Sequence, residues 1–296
     1  MYITAFLEGT LLIVFDLAKT VAVSQVVTRS QLSTAVAQEE FVEGTTALFG
    51  PSLSGALYTL GRMFPFITDA ISYLISIVTL LLIRTPFQRE RAIGSRKLWV
   101  EISEGILWVW HQSFILTMTL LMGAGAFVLS GSTLIIIILA QRQNAPAVVI
   151  GLIFAVGGSG SILGSLLAPR LENRLTVGQS ILLCRWYFVL SWSLYALAPY
   201  PLVLGAVEFG SGFVDPIEDV PYFSHRLKLI PEELRGRVLS ACRLFPGTTR
   251  PLGLALTGIL IQRSGVFPTI WLEWGYLLVI TVVVTLIPYV RRERAH

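Results

Sequence analysis

The chain has 296 residues, of which 54% are hydrophobic and only 14% are charged, and its mean hydropathy is +0.73. Soluble domains contain about 25% charged residues, so this chain lacks the polar surface that a water-soluble fold requires. Its two cysteines, Cys184 and Cys242, have no metal-ligand spacing, and the sequence contains neither a catalytic triad nor a phosphate-binding loop. We therefore expect an all-α polytopic membrane protein that is not an enzyme and uses no metal or other cofactor.

Nine apolar stretches are long enough to cross a bilayer, whose ~30 Å core needs about 20 residues in helical form. The first is the weakest, because it contains Glu8 and Asp16, and no positively charged leader or cleavage site marks it as a signal peptide. The predicted spans are 2–18, 40–60, 64–83, 113–139, 147–168, 178–198, 201–222, 245–262 and 268–288.

An amphipathic helix is predicted at 98–110, between the third and fourth spans. Its apolar residues recur at helical spacing and its carboxylates lie off that stripe. The apolar residues are Trp99, Ile102, Ile106 and Val109, and the carboxylates are Glu101 and Glu104. We expect this helix to lie at the membrane surface, with a solvated linker as the alternative.

The basic residues predict the orientation of the spans. With the N-terminus outside, 17 of the 22 Lys and Arg residues fall in cytoplasmic segments and three fall outside. Cytoplasmic loops of membrane proteins carry such an excess. The net charge of +4 therefore reflects topology, with the C-terminus in the cytoplasm, and does not indicate a nucleic-acid partner.

The sequence repeats itself at an offset of 203 residues. The segment 44–55 matches 247–258, and the same offset aligns Phe64-Pro65 with Phe267-Pro268. The repeat superposes the first three spans on the last three, in the same orientation. Parallel repeats of six spans are typical of major-facilitator transporters.

We therefore expect a major-facilitator fold with about nine transmembrane helices. Residues 1–84 would form a partial N-terminal half of three spans, and residues 85–112 a cytoplasmic linker with the amphipathic helix. Residues 113–296 would form a complete six-helix C-terminal half.

Two segments resemble a known family. Residues 32–84 contain STAVAQ, FGPSLSGAL, FITDAISYL and LLIRTP, and residues 231–258 contain PEELRGRV and RPLGLALTG. They resemble the bacterial efflux branch of the major facilitator superfamily that includes macrolide-efflux proteins and the enterobactin exporter. The resemblance implies a protein of the bacterial cytoplasmic (inner) membrane that exports amphipathic drugs or siderophores by proton antiport and alternating access. Its partners would be the lipid bilayer, a small amphipathic substrate and protons, with no nucleotide.

The sequence also departs from that family. Family members normally begin with three further spans and a basic signature, which are absent here, and Ser54 replaces a glycine of the family's Gly-Pro antiporter motif at 50–55. Two alternatives therefore stay open. One is a truncated, non-transporting remnant or an interaction subunit, and the other is a major-facilitator importer of another solute.

The seventh predicted span concentrates acidic residues. Glu208, Asp215 and Asp219 fall within ~20° of one another on a helix, whereas Glu218 lies about 80° away. An ionisable residue inside a span costs on the order of 2.5–3.5 kcal/mol, so it normally faces a cavity or a partner. We expect Glu208 and Asp215 to bind a cationic substrate or the coupling proton, with an ion pair to Arg185 as the alternative.

Other carboxylates are weaker candidates. For Asp219 and its repeat mate Asp16, both near the basic cytoplasmic face, we favour charge pairs, in which Asp219 would meet Arg170 or Arg174. Further candidates for substrate or proton coupling lie in the first three spans, where the helix dipole alone could also favour a carboxylate. These are Glu43, Asp69 and Glu8.

Small residues predict close helix packing. Glycines without side chains allow two backbones to approach and slide past each other. The predicted packing positions are Gly50, Pro51, Gly55, Gly253 and Gly258, and in the fifth span the series Gly157, Ser161, Ser165 or Gly160, Gly164, Ala168. Pro216 and Pro221 predict a kink or an unwound cytoplasmic end in the seventh span.

Overall fold

A computed structural model describes residues 31–61, 63–82, 98–172 and 174–287, with 26–28 and a few single positions before them. The first predicted span lies largely outside this part of the chain, and so do its two acidic residues, Glu8 and Asp16. All regular elements in the described segments are helices, which confirms the predicted all-α fold.

Ten α-helices, labelled α1 to α10, make up the described segments. They are α1 (Leu32–Leu60), α2 (Phe64–Leu81), α3 (Leu98–His111), α4 (Ser113–Leu129), α5 (Ser132–Arg142), α6 (Ala147–Glu172), α7 (Val177–Leu197), α8 (Pro201–Leu229), α9 (Arg235–Ser264) and α10 (Val266–Leu286). Six stretches are long and apolar enough to cross a membrane, namely α2, α4 with α5, α6, α7, α9 and α10. Helices α1 and α8, of 29 residues each, are not among these six.

The helix boundaries follow the internal repeat. Helix α9 begins 203 residues after α1, and α10 begins 202 residues after α2. The predicted sequence repeat therefore corresponds to a repeat of two consecutive helices.

Several predicted spans differ from the helices that form. The fourth is divided at Ser130-Gly131, where the amide of Gly131 donates to the carbonyl oxygen of Val128, three residues earlier. At the same point the fourth span lies close to α9, because a Cβ on Gly131 would meet Thr257. Helices α1 and α9 begin eight to ten residues before the predicted spans, because a hydropathy window detects only the apolar part of a helix.

Helix α8 also extends further than predicted. It contains Pro216 and Pro221 but remains helical to Leu229, so the predicted unwinding of its C-terminal end is not found. Tyr222 and His225, beyond both prolines, are buried at 2% and 4% exposure. This tertiary packing holds the last turns in place despite the missing backbone donors.

Helix α6 is the central helix, and it packs along both α1 and α8. A Cβ added at Gly160 would collide with the carbonyl oxygen of Phe209, and one at Gly164 with that of Phe213. On the other side, a Cβ on Gly44 of α1 would lie 2.9 Å from the Ser161 hydroxyl. The small residues of α6 therefore bring two neighbouring backbones into direct contact.

Of the glycines predicted to pack helices in α1 and α9, only some are in close contact with another helix. Gly253 lies against the carbonyl oxygen of Phe127 on α4. By contrast, Gly258 has open space around it, and Gly50 meets only a methyl group of its own helix at 3.9 Å. Pro51 and Gly55 lie within α1.

Helix α3 confirms the predicted helix at 98–110 and docks on α9. Arg237 of α9 pairs with Glu101 and Glu104, while Gly105 brings α3 against the Arg237 carbonyl group. The carboxylates thus face the protein, and Trp99 and Trp110 are exposed at 79% and 68%. An outward apolar face of this kind suits the membrane surface rather than water.

The contact between α6 and α8 predicts opposite effects for two glycine substitutions. Gly160→Ala should destabilise the fold by about 1–3 kcal/mol, because the new methyl group meets a backbone carbonyl. Gly151→Ala on the same helix has open space and should stabilise by about 0.5–1 kcal/mol through helix propensity. Thermal unfolding in detergent measures both changes, and equal effects would contradict the close contact.

The docking of α3 predicts a local effect of Arg237→Gln. Loss of the partly exposed ion pairs should weaken docking by about 1 kcal/mol. Hydrogen exchange should therefore accelerate in 98–111 and stay unchanged in the core of α7. Arg263→Gln, an exposed position on the same helix, serves as the control and should leave exchange in α3 unchanged.

Candidate functional site

A cavity of about 690 Å³ lies between α1, α4, α6, α7, α8 and α9. Six carboxylates and only two guanidinium groups line it, so its walls carry an excess of negative charge when these groups are ionised. The acidic residues are Glu40, Glu43, Glu208, Asp215, Glu218 and Asp219, and the basic residues are Arg185 and Arg250. Within the described segments, no group of three or more His, Cys, Asp or Glu residues could hold a metal ion.

The stripe predicted on the seventh span faces this cavity. Glu208, Asp215 and Asp219 of α8 all line it, and Glu43 of α1 joins them. Asp69 lies instead on an exposed part of α2, outside the cavity lining. The structure thus brings together the seventh-span candidates and one of the earlier ones.

Arg185 and Glu218 form an ion pair that joins α7 to α8. Their side chains are only 6% and 4% exposed. Helix α4 makes room for the guanidinium with Gly125, where a Cβ would collide with Nη1 of Arg185. Arg185 therefore pairs with the acidic residue that lies off the stripe, rather than with Glu208 or Asp215.

Glu208 has a neutral partner. The hydroxyl of Tyr195 donates a hydrogen bond to Oε1 of Glu208. On the other side lies Gly157 of α6, where a Cβ would stand 3.3 Å from Oε2. No basic side chain in the described part of the chain pairs with this carboxylate, so it has no fixed cation to neutralise it.

Four carboxylates from two helices share the remaining wall. Glu40 of α1 interacts electrostatically with Glu43 on its own helix and with Asp215 and Asp219 on α8. These carboxylates repel one another when they are ionised, and a proton or a cation bound among them would relieve the repulsion. Asp219 lies in this group, and the cations that act on it are Arg185 and Arg226, whereas the predicted partners Arg170 and Arg174 are exposed near the end of α6.

Two acidic residues, Glu40 and Glu273, were not predicted as site residues from the sequence. Glu40 stands at the edge of its predicted span and resembles an ordinary boundary residue. Glu273, near the beginning of the ninth span, accepts hydrogen bonds from the Trp192 indole at 3.1 Å and the Thr257 hydroxyl at 2.6 Å. A carboxylate inside an apolar span is costly and normally has a partner or a function, so the sequence alone already marks Glu273 as a candidate.

The buried ion pair predicts a non-additive double mutant. Arg185→Met or Glu218→Leu alone should destabilise the protein by about 3–5 kcal/mol, because each leaves one buried charge without its partner. The double variant should recover most of the loss. Thermal unfolding of the four proteins tests this prediction, and additive losses would show that the pair is not energetically coupled.

Known proteins with the same features place the chain in context. A family model described as transmembrane secretion effector, within the major facilitator superfamily, matches residues 2–295. A comparison with curated proteins finds no significant match.

Two crystal structures of a bacterial homologue of the iron transporter ferroportin share the fold. The first, in an outward-facing state, has a TM-score of 0.69 and 18% identity over 92% of this chain and 68% of that chain. The second, in the same state with soaked iron, has a TM-score of 0.64 and 18% identity, and covers 88% and 65%. The matched family and this fold are those of a multi-pass membrane transporter, and the chain belongs to the transmembrane secretion effector family of the major facilitator superfamily.

Proposed function

We propose that this protein is a secondary active exporter of amphipathic small molecules, driven by proton antiport through alternating access in a bacterial cytoplasmic membrane. The observation that carries this proposal is the acidic cavity, in which neither Glu208 nor Asp215 forms an ion pair within the described part of the chain, while the Arg185 charge that reaches Asp215 is paired with Glu218. A carboxylate in this position exchanges a proton for a cationic substrate.

The lining of the cavity suits an amphipathic cation. Its volume of about 690 Å³ falls within the range of about 300–1,000 Å³ typical of small-molecule sites. Phe154, Phe188 and Trp192 supply apolar surface that faces the carboxylates. Aromatic faces and carboxylates both attract organic cations, whereas the apolar part of the substrate packs against the rings.

The ion pair divides the acidic residues into two kinds. Glu218 is neutralised by Arg185, so it joins helices and does not need a proton. Among the residues that the structure describes, Glu208 and Asp215 have no such ion-pair partner, and one proton or one substrate cation at a time would satisfy them. Competition between the two ligands for the same carboxylates couples their movements in opposite directions.

The packing of α1 against α6 and α8 supports alternating access. Gly44 and Gly158 let α1 and α6 approach closely, since a Cβ on Gly44 would meet the Ser161 side chain and one on Gly158 would meet the backbone of α1. Helices packed in this way shift relative to each other at low cost. The acidic cavity lies along this contact, where a rocking motion would open it alternately to the two sides.

A second candidate function, an interaction subunit, is favoured by α2. None of the residues of α2 is buried, whereas half of the span in α7 is. Such a helix presents its surface to lipid or to another membrane protein. An interaction subunit would have no transport activity of its own.

Neutral variants of the two acidic residues test the exporter. In proteoliposomes with an imposed proton gradient and ethidium as the probe, Glu208→Gln and Asp215→Asn should abolish proton-driven efflux. Each variant retains the shape of the side chain but removes its exchangeable charge. Membrane insertion and the thermal unfolding midpoint should remain close to those of the wild type.

Glu39→Gln provides the matched control. Glu39 is on α1 next to Glu40, but it pairs with Lys19 at 2.7 Å and does not line the cavity. Its variant should retain wild-type efflux. Efflux at the wild-type rate in Glu208→Gln and Asp215→Asn would refute the site, and a wild-type protein without efflux would favour the interaction subunit.

A further inference from the structure

Helix α10 buries a carboxylate that the acidic cavity does not include. Glu273 is 7% exposed and lies among residues of an apolar core. Within the described part of the chain, its hydrogen-bond donors are the Trp192 indole and the Thr257 hydroxyl, and no ion pair reaches it. A buried carboxylate without a cationic partner is costly in its ionised form.

The two donors differ in what they can do when the carboxylate gains a proton. Trp192 donates to Oε2, and an indole N–H can only donate. Thr257 donates to Oε1, and a hydroxyl can rotate to accept instead. The site can therefore hold an ionised or a protonated carboxyl group with both hydrogen bonds intact.

We propose that Glu273 is a second proton-binding site of this protein, and that Trp192 transmits its charge state to the wall of the acidic cavity. A proton taken from solvent binds Oε1 of Glu273, which then donates a hydrogen bond to the rotated Thr257 hydroxyl. This site is separate from the carboxylates of α8, and its existence does not depend on the proposed export function.

The connection to the cavity runs through two aromatic side chains of α7. Trp192 lines the cavity and packs edge-on against Tyr195, with ring centroids 5.6 Å apart. Tyr195 in turn donates to Glu208. A hydrogen bond to a charged acceptor is about twice as strong as one to a neutral acceptor, so protonation of Glu273 loosens the anchor of Trp192.

No charged side chain acts directly on Glu273 in the described segments. The titratable groups on the helices packed around it belong to other contacts or to the exposed surface. They are Cys184, Arg185, Tyr187 and Tyr195 on α7, Arg235, Arg237, Cys242, Arg243, Arg250 and Arg263 on α9, Arg142 on α5, and Tyr276 on α10 itself. The protonation of Glu273 therefore depends on its two neutral hydrogen-bond partners, Trp192 and Thr257.

Infrared difference spectroscopy of the purified full chain tests the proton site directly. Between acidic and alkaline pH, the wild type should show a carboxylic acid C=O band that is lost in Glu273→Gln. Glutamine fits both hydrogen bonds, because its carbonyl accepts from Trp192 and its amide donates to Thr257, so this variant should fold. Glu208→Gln should retain the Glu273 band, which distinguishes the two sites.

Tryptophan difference absorbance over the same pH range tests the link to the cavity. The component that belongs to Trp192 should be lost in Trp192→Phe and also in Glu273→Gln. Thr257→Ser retains a hydroxyl and should preserve both signals, whereas Thr257→Val should change the pH profile of the carboxyl band.

The outcomes separate the parts of the proposal. A carboxyl band unchanged in Glu273→Gln would overturn the proton site. A band lost in Glu273→Gln with a tryptophan signal that survives there would overturn the link through Trp192. Neither measurement requires transport, so a protein that fails to export ethidium could still confirm the Glu273 site.

Discussion

Carboxylates inside a membrane protein need a partner or a wet cavity, and this constraint organises the helices around α8. Water is not available in the hydrocarbon core to solvate an unpaired charge. Helix α8 meets the constraint in two ways. Glu218 turns towards Arg185 in a buried ion pair, whereas Asp215 and Asp219 turn towards the cavity and the carboxylates of α1. One helix thereby contributes both an ion pair to α7 and carboxylates to the wall of the cavity.

The small residues of α6 make this arrangement possible. Gly160 and Gly164 let the backbone of α8 approach so closely that side chains at these positions would collide with it. Gly157 leaves room beside the Glu208 carboxylate, and Gly125 of α4 does the same for Arg185. Glycine lowers the intrinsic stability of a helix. At these positions the loss of helix stability is the consequence of leaving room for a neighbouring backbone or a charged side chain.

The sequence predicted those features that repeat along the chain or depend on composition. The span positions follow from the length of the apolar stretches, the repeat from sequence identity at a constant offset, and the acidic stripe of α8 from helical periodicity, all of which can be read from the sequence alone. The break at Ser130-Gly131 and the choice of Glu218 as the partner of Arg185 depend instead on contacts between distant helices. Open space at Gly258 shows the same limit, because a glycine indicates that close packing is possible but not which helix is nearby.

Helix α7 contacts two carboxylates of α8 and one of α10. Arg185 pairs with Glu218, Trp192 donates to Glu273, and Tyr195 donates to Glu208. The first two donors are seven residues apart and therefore share a face of the helix, while the third lies one turn beyond Trp192. A shift of α7 relative to α8 would change the contacts at Glu208 and Glu218 together, and its contact with α10 would carry the shift to Glu273. Glu208 and Glu273 accept from neutral donors of α7, so a proton on either carboxylate would weaken one of the hydrogen bonds that hold α7. The ion pair between Arg185 and Glu218 would still hold α7 against α8.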